Sequence, residues 1–411
     1  MFFSVVLKMT SNIIIDDDTY KMASNLGEFC QIYNALNFDG KKVSDKHVMT
    51  PLQTAALAGK LELVKNIIEQ GADIKTSDKD GWTLLHMAAN EGKLDVVKYL
   101  VEQGADFKIP DNDGRTAIHL AARKNRLDVV KYLVEQGADF KFKIFDKDRW
   151  TPLHFAAYKG GLDVVKYLVE NSANYKIPTK KGETPLHLAA QKGRLDVARY
   201  LIENGANFDI STKNGRTPLH LAAQESRLEL LQYLVEQGAD FEIRDNDGMA
   251  PLHLAANKGG LDLVKYLIEK GAYYKIFTNT GRTPLHLAAQ EGKLDIVKYL
   301  VEQGADFKNT DKYGWTPLYW AALEGRLDVL QYLLKQGADL KICDNDSMTP
   351  LHLAALKGTF DVVKYLVENG ADLKISTKLG RTPLHVAAQE GRLSVVKYLV
   401  EQGADFKILD N

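Results

Sequence analysis

The stretch Thr283-Pro284-Leu285-His286-Leu287-Ala288-Ala289-Gln290-Glu291-Gly292-Lys293-Leu294-Asp295-Ile296-Val297-Lys298-Tyr299-Leu300-Val301-Glu302-Gln303-Gly304-Ala305-Asp306 reads as two short helices back to back. Pro284 falls in a first helical turn, where a missing N–H costs nothing, and Thr283 before it can cap that turn. Ala288-Ala289 leaves room for another helix to approach closely. After Gly292, the apolar residues Leu294, Ile296, Val297, Tyr299, Leu300 and Val301 form a broad buried face interrupted by Asp295 and Lys298. Gly304 then suits a helix C-terminus. The segment that follows each such pair, for example Asp111-Asn112-Asp113-Gly114, is turn chemistry suited to a hairpin tip.

The same unit recurs along the chain. The Thr-Pro-Leu-His string or a close variant starts at Thr50, Thr83, Thr116, Thr151, Thr184, Thr217, Ala250, Thr283, Thr316, Thr349 and Thr382. Every step is 33 residues except the one from Thr116 to Thr151, which is 35. A Gly-Ala marker runs in phase, becoming Ser172-Ala173 in the fourth unit. One unit cannot bury its own apolar face, so its neighbours must do so. The unit Asp-x-x-Gly-x-Thr-Pro-Leu-His-x-Ala-Ala, then Gly, a Val-Val-x-x-Leu helix and Gly-Ala-Asp, resembles the ankyrin repeat from about Ser44 to Asn411. That resemblance implies an all-α solenoid: eleven helix pairs with short β-hairpin fingers, curved so that the concave side binds proteins. The expected domains are a non-repeat segment at 1–45 and a repeat domain at 46–411.

Composition narrows the function. Among 411 residues, Lys plus Arg total 53 and Asp plus Glu 54, so the net charge is −1. A dedicated nucleic-acid or membrane-surface binder would carry a basic excess. Cys30 and Cys343 are the only cysteines, too few for a disulfide framework or a metal set, which points to a reducing, cytoplasmic setting. The apolar run Phe2-Phe3-Ser4-Val5-Val6-Leu7 is shorter than a signal-peptide core, and no stretch approaches the roughly 18 apolar residues of a membrane span.

Recurring residues invite chemical readings that their spacing argues against. His86, His119, His154, His187, His220, His253, His286, His352 and His385 fill one slot of the repeat. Stacking separates successive ones by roughly a helix diameter, about 10 Å, whereas two imidazoles sharing a zinc each lie about 2 Å from it. The family resemblance implies that this histidine ties hairpin to helix. No phosphate-cradling glycine loop, His-Glu-x-x-His helix or Cys-x-x-Cys is present, so neither an enzyme nor a cofactor is expected. Ten tyrosines, from Tyr99 to Tyr398, share a slot in the second helix and read as a packing ladder with hydroxyls reaching water.

Binding specificity is expected where units differ. The slot before the motif threonine holds Trp82, Arg115, Trp150, Arg216, Arg282, Trp315 and Arg381 among others, residue types enriched at protein interfaces. Aromatic residues concentrate in the fourth unit (Trp150, Phe155, Tyr158) and the ninth (Tyr313, Trp315, Tyr319, Trp320), where Tyr319 replaces the motif histidine. Repeats three to five also bring Arg115, Arg123, Lys124, Lys147, Lys159, Lys180, Lys181 and Lys192 to candidate concave positions, which suits an acidic protein partner.

Two regions break the pattern. Two extra residues between Gly137 and Thr151, read as a doubling of Phe140-Lys141 in Phe142-Lys143, and Arg149 in place of the hairpin glycine predict an altered finger. Met22, Leu26, Phe29, Tyr33 and Leu36 predict a helix capping the first unit, while the last unit keeps a full apolar second helix that self-association could shelter. The leading expectation is a protein-binding scaffold or adaptor. Alternatives are a secreted microbial effector capturing a host protein and a self-associating structural repeat protein.

Overall fold

The computed structural model describes residues 49–140 and 145–410. The N-terminal helix and the doubled Phe142-Lys143 therefore lie outside the described residues. Twenty-two helices follow one another there in eleven pairs, from Pro51–Ala58 and Leu61–Glu69 to Pro383–Gln389 and Leu393–Glu401.

The eighth pair shows why the sequence folds this way. Thr283 is extended (φ −94°, ψ 167°), and Pro284 starts a helix that ends at Gln290. The second helix, Leu294–Glu302, stops because Gly304 takes φ 88° and lets Ala305 N–H donate back to the Leu300 carbonyl. Ser172 does the same work at φ 68° in the fourth unit, an αL position that costs a side-chain-bearing residue more than glycine.

Neighbouring units close the core between them. Ala288, Ala289, Val297 and Leu300 are fully excluded from water. They belong to one apolar cluster that runs from Leu52 to Ala404. The first helices, held close by their alanine pairs, pack on one another more extensively than the second helices do. The stack therefore curves with the first helices on its inner side.

The fingers are tight turns rather than extended strands. In the third unit Asp111 N–H donates to the Arg115 carbonyl and Gly114 N–H to the Asp111 carbonyl. One isolated bridge, Ser77 with Thr83, is the nearest approach to a β ladder among the described residues. Neighbouring tips are joined by single backbone bonds, such as Asn112 N–H to Asp80 O at 3.0 Å and Lys312 N–H to Thr280 O at 2.9 Å. The altered finger expected between Gly137 and Thr151 includes residues 141–144, which lie outside the described residues. Arg149 adopts φ 64°, and Asp146 N–H still donates to the Trp150 carbonyl, so the tip keeps the common turn with an arginine in a glycine conformation.

Candidate functional site

The repeated histidine is structural, and the geometry settles its tautomer. In the eighth unit the Thr283 backbone N–H donates to His286 Nδ1 (3.1 Å), so Nδ1 is unprotonated. Nε2 therefore carries the hydrogen and donates to the Trp315 carbonyl of the next unit (3.1 Å). His86 reaches Arg115 O, His220 reaches Met249 O and His352 reaches Arg381 O in the same way. One imidazole thus completes the helix N-terminus and fastens the following finger. Ala250 has no hydroxyl, yet its backbone N–H still meets His253 Nδ1 at 3.1 Å. Burial pushes the imidazoles of His187, His253, His286 and His352 down to about 4 and that of His154 to about 3. These rings are neutral, walled in and separately engaged. Among the described residues no three His, Cys, Asp or Glu side chains are placed to hold a metal ion.

The tyrosine ladder packs as the sequence suggests. Tyr132, Tyr167 and Tyr200 are half-buried, and each ring faces the lysine of the preceding unit: Lys98 at 6.0 Å, Lys131 at 5.8 Å and Lys166 at 5.9 Å from the ring centroid. Sequence reasoning missed a second ladder. Arg126 Nε donates to the Asn90 carbonyl, Arg227 to Gln191, Arg326 to Gln290 and Arg392 to Leu356. Each cation thus caps the C-terminus of the previous unit's first helix. The recurring basic residue just before the leucine that opens the second helix was the available signal.

The residues left to bind a partner lie at the fingertips and on the inner side of the first helices. In the fourth unit Trp150 is half-buried, with its ring centroid 4.9 Å from Phe155 and 5.4 Å from Tyr158. Lys192 and Lys159 stand over the Tyr158 ring at 4.8 and 5.5 Å, which brings Trp150, Tyr158, Lys159 and Lys192 together in one aromatic-cationic patch. Lys124 and Lys181 are exposed, and Arg123 is half-buried. Arg115 is occupied within the chain, pairing with Asp111 (2.8 Å) and Asp113 (2.7 Å). Trp82 is half-buried at its tip.

The ninth unit is built differently. Tyr319 is fully buried, and its hydroxyl reaches the Met348 carbonyl at 2.9 Å, the register that histidine serves elsewhere. Trp315 is half-buried, with its indole N–H on Asp344 Oδ2 at 2.7 Å, while Tyr313 is 50% exposed. Trp320 is 8% exposed and groups with Tyr319, Leu323 and Leu353 as a second apolar cluster separate from the main core. Trp315, Met348 and Leu356 pack around it. The ring that the motif places on the inner side here is thus part of the protein's own packing.

No helix among the described residues is long and apolar enough to cross a membrane. The family model described as ankyrin repeats (3 copies) matches residues 52–144, 140–212, 204–278, 273–344 and 336–410. Among solved structures, the chain is similar to the crystal structure of the human ASB11 ankyrin repeat domain, with 28% identity and a TM-score of 0.50, over 55% of this chain and 99% of that one. No curated protein matches the chain.

Proposed function

The chain belongs to the ankyrin repeat family, whose arrays are protein-interaction modules, and on that premise we propose that it is a scaffold or adaptor gripping a partner protein along its inner face. One observation carries this reading. The buried positions repeat almost unchanged, as do exposed residues ending the second helices such as Glu102-Gln103-Gly104, whereas the fingertip slot before the motif threonine changes from unit to unit (Trp82, Arg115, Trp150, Glu183, Arg216). A surface that varies on an invariant frame is suited to recognition. The patch of Trp150, Tyr158, Lys159 and Lys192, flanked by Lys124 and Lys181, supports an acidic partner segment at repeats three to five. No catalytic role is assigned, because the recurring imidazoles each accept a backbone N–H at their own helix start and nearly all are buried.

The test is capture from lysate by the full chain, repeated with Trp150→Ala combined with Lys159→Glu and Lys192→Glu. Loss of a prominent partner from the variant, with helicity unchanged, supports the placement, as does weakening of capture as salt rises. Retention of every partner at every salt concentration would sink it.

A further inference from the structure

Four fingertips carry an arginine before the motif threonine, and three of these hold carboxylates. Arg216 Nε meets Asp245 Oδ2 of the next tip at 3.0 Å, and its Nη1 donates to Gln224. Arg381 repeats the pattern with Asp410 (3.5 Å) and Gln389 (2.7 Å). Arg115 pairs with Asp111 and Asp113 in its own tip. Arg282 has Asp311 in the register that Asp245 occupies for Arg216, but no carboxylate oxygen lies within ion-pair distance of it among the described residues.

The cause is Trp320. In six other units this slot is leucine: Leu120, Leu188, Leu221, Leu254, Leu287 and Leu353. The larger indole takes Asp311 for itself, its Nε1–H donating to Oδ2 at 3.1 Å. The other Asp311 oxygen accepts the backbone N–H groups of Tyr313 and Trp315. Displaced from its usual acceptor, the Arg282 guanidinium lies with its central carbon 3.5 Å from the Trp320 ring centroid. Trp315 stands against the other side of the cluster, 4.9 Å from Trp320 between centroids.

A guanidinium over an indole keeps the cation–π attraction, while its N–H groups remain available to an acceptor. Those groups bond to water unless an acceptor arrives, and a carboxylate fits them two bonds at a time. Leu323 and Leu353, buried beneath the indole, and half-buried Met348 and Leu356 make the surroundings apolar and lower the local dielectric, which strengthens such a pair. Arg282 sits in the eighth of eleven units, so the inner face continues on both sides of it and suits a chain passing through rather than a chain end.

We propose that Arg282, stacked on Trp320 beside half-buried Trp315 and Met348, is a docking site for an aspartate or glutamate side chain of a partner peptide whose adjoining residues are apolar. The site rests on the protein-binding reading but is separate from the repeat-four patch. It is a specificity pocket created by one leucine-to-tryptophan difference between units.

The probe is a displayed library of random peptides anchored at both ends, selected on the full chain. Selected peptides should share one acidic position flanked by apolar residues. Fluorescence anisotropy then compares the leading peptide, both ends blocked, with the same peptide carrying the amide in place of the acid. The acid form should bind about tenfold to a hundredfold more tightly. Arg282→Gln should bring that ratio close to one. Trp320→Leu restores the residue used elsewhere and frees Asp311 to pair with Arg282, so it should weaken the acid peptide similarly while helicity is retained. Peptides without a shared acidic position, or an acid preference that survives Arg282→Gln, overturn the site. A chain that still captures its partner through repeat four yet shows no Arg282-dependent preference loses this site alone.

Discussion

Acidification should dismantle the stack through its histidines well before its carboxylates titrate. Burial holds His187, His253, His286 and His352 near 4 and His154 near 3 in the folded chain, whereas an unfolded histidine titrates near 6.5. Between those values the unfolded chain takes up protons that the folded chain refuses. Stability is therefore full above about pH 7, falls as pH drops through 6.5, and stops falling from this cause only near 4, where the folded rings protonate. Each such ring contributes a slope approaching 1.4 kcal/mol per pH unit in that window. Five of them together reach roughly 5 kcal/mol between pH 6.5 and 5.5, against a typical domain stability of about 5–15 kcal/mol. Urea unfolding followed by circular dichroism at pH 7.5, 6.5, 6.0 and 5.5 gives the linked proton uptake directly. Uptake of about five protons agrees with the buried neutral rings; a midpoint that does not move across this window refutes their placement.

Three local substitutions test other joints of the structure. Gly215 sits at φ 77°, and a methyl there would meet the Asn246 backbone nitrogen at 2.8 Å, so Gly215→Ala should lose about 1–3 kcal/mol in urea melts. Arg149→Gly runs the other way: relieving a non-glycine residue at φ 64° should raise stability by about 1 kcal/mol. Arg326→Met keeps the stem but removes the bond from Nε to the Gln290 carbonyl at 3.0 Å, and should cost about 1 kcal/mol with faster amide exchange in 284–290.

The parts of the fold legible in sequence are those set by local chemistry repeated many times. The phase of Thr50 through Thr382, the proline at N1 of most first helices and the glycine after most helices fix the helix pairs before any neighbour is considered. Of the apolar face read from the periodicity of Leu294–Val301, Ile296, Val297 and Leu300 are buried, while Leu294, Tyr299 and Val301 are half-buried. What escaped depends on register between units. That Arg326 reaches a carbonyl 36 residues back, or that His286 spans 29 residues to the next fingertip, is decided by how closely the alanine pairs let units stack. The candidate site divides along the same line. Clustering of Trp150, Tyr158, Lys159 and Lys192 followed from position in the unit, but the pairing of Arg115 inside its own tip did not. Trp320 was visible as an oddity, yet its capture of Asp311 and the release of Arg282 arise from ring size against a fixed neighbour.

Mutual completion of the core by adjacent units is tested most directly by hydrogen exchange on the full chain carrying Leu300→Ala. Leu300 is fully buried in the eighth unit and part of the cluster that continues through every neighbour. Protection should fall in the second helices of the seventh and ninth units, Leu261–Glu269 and Leu327–Lys335, as well as in Leu294–Glu302, and fade with distance. Loss of protection confined to residues 283–304, with both flanking units unchanged, would contradict it.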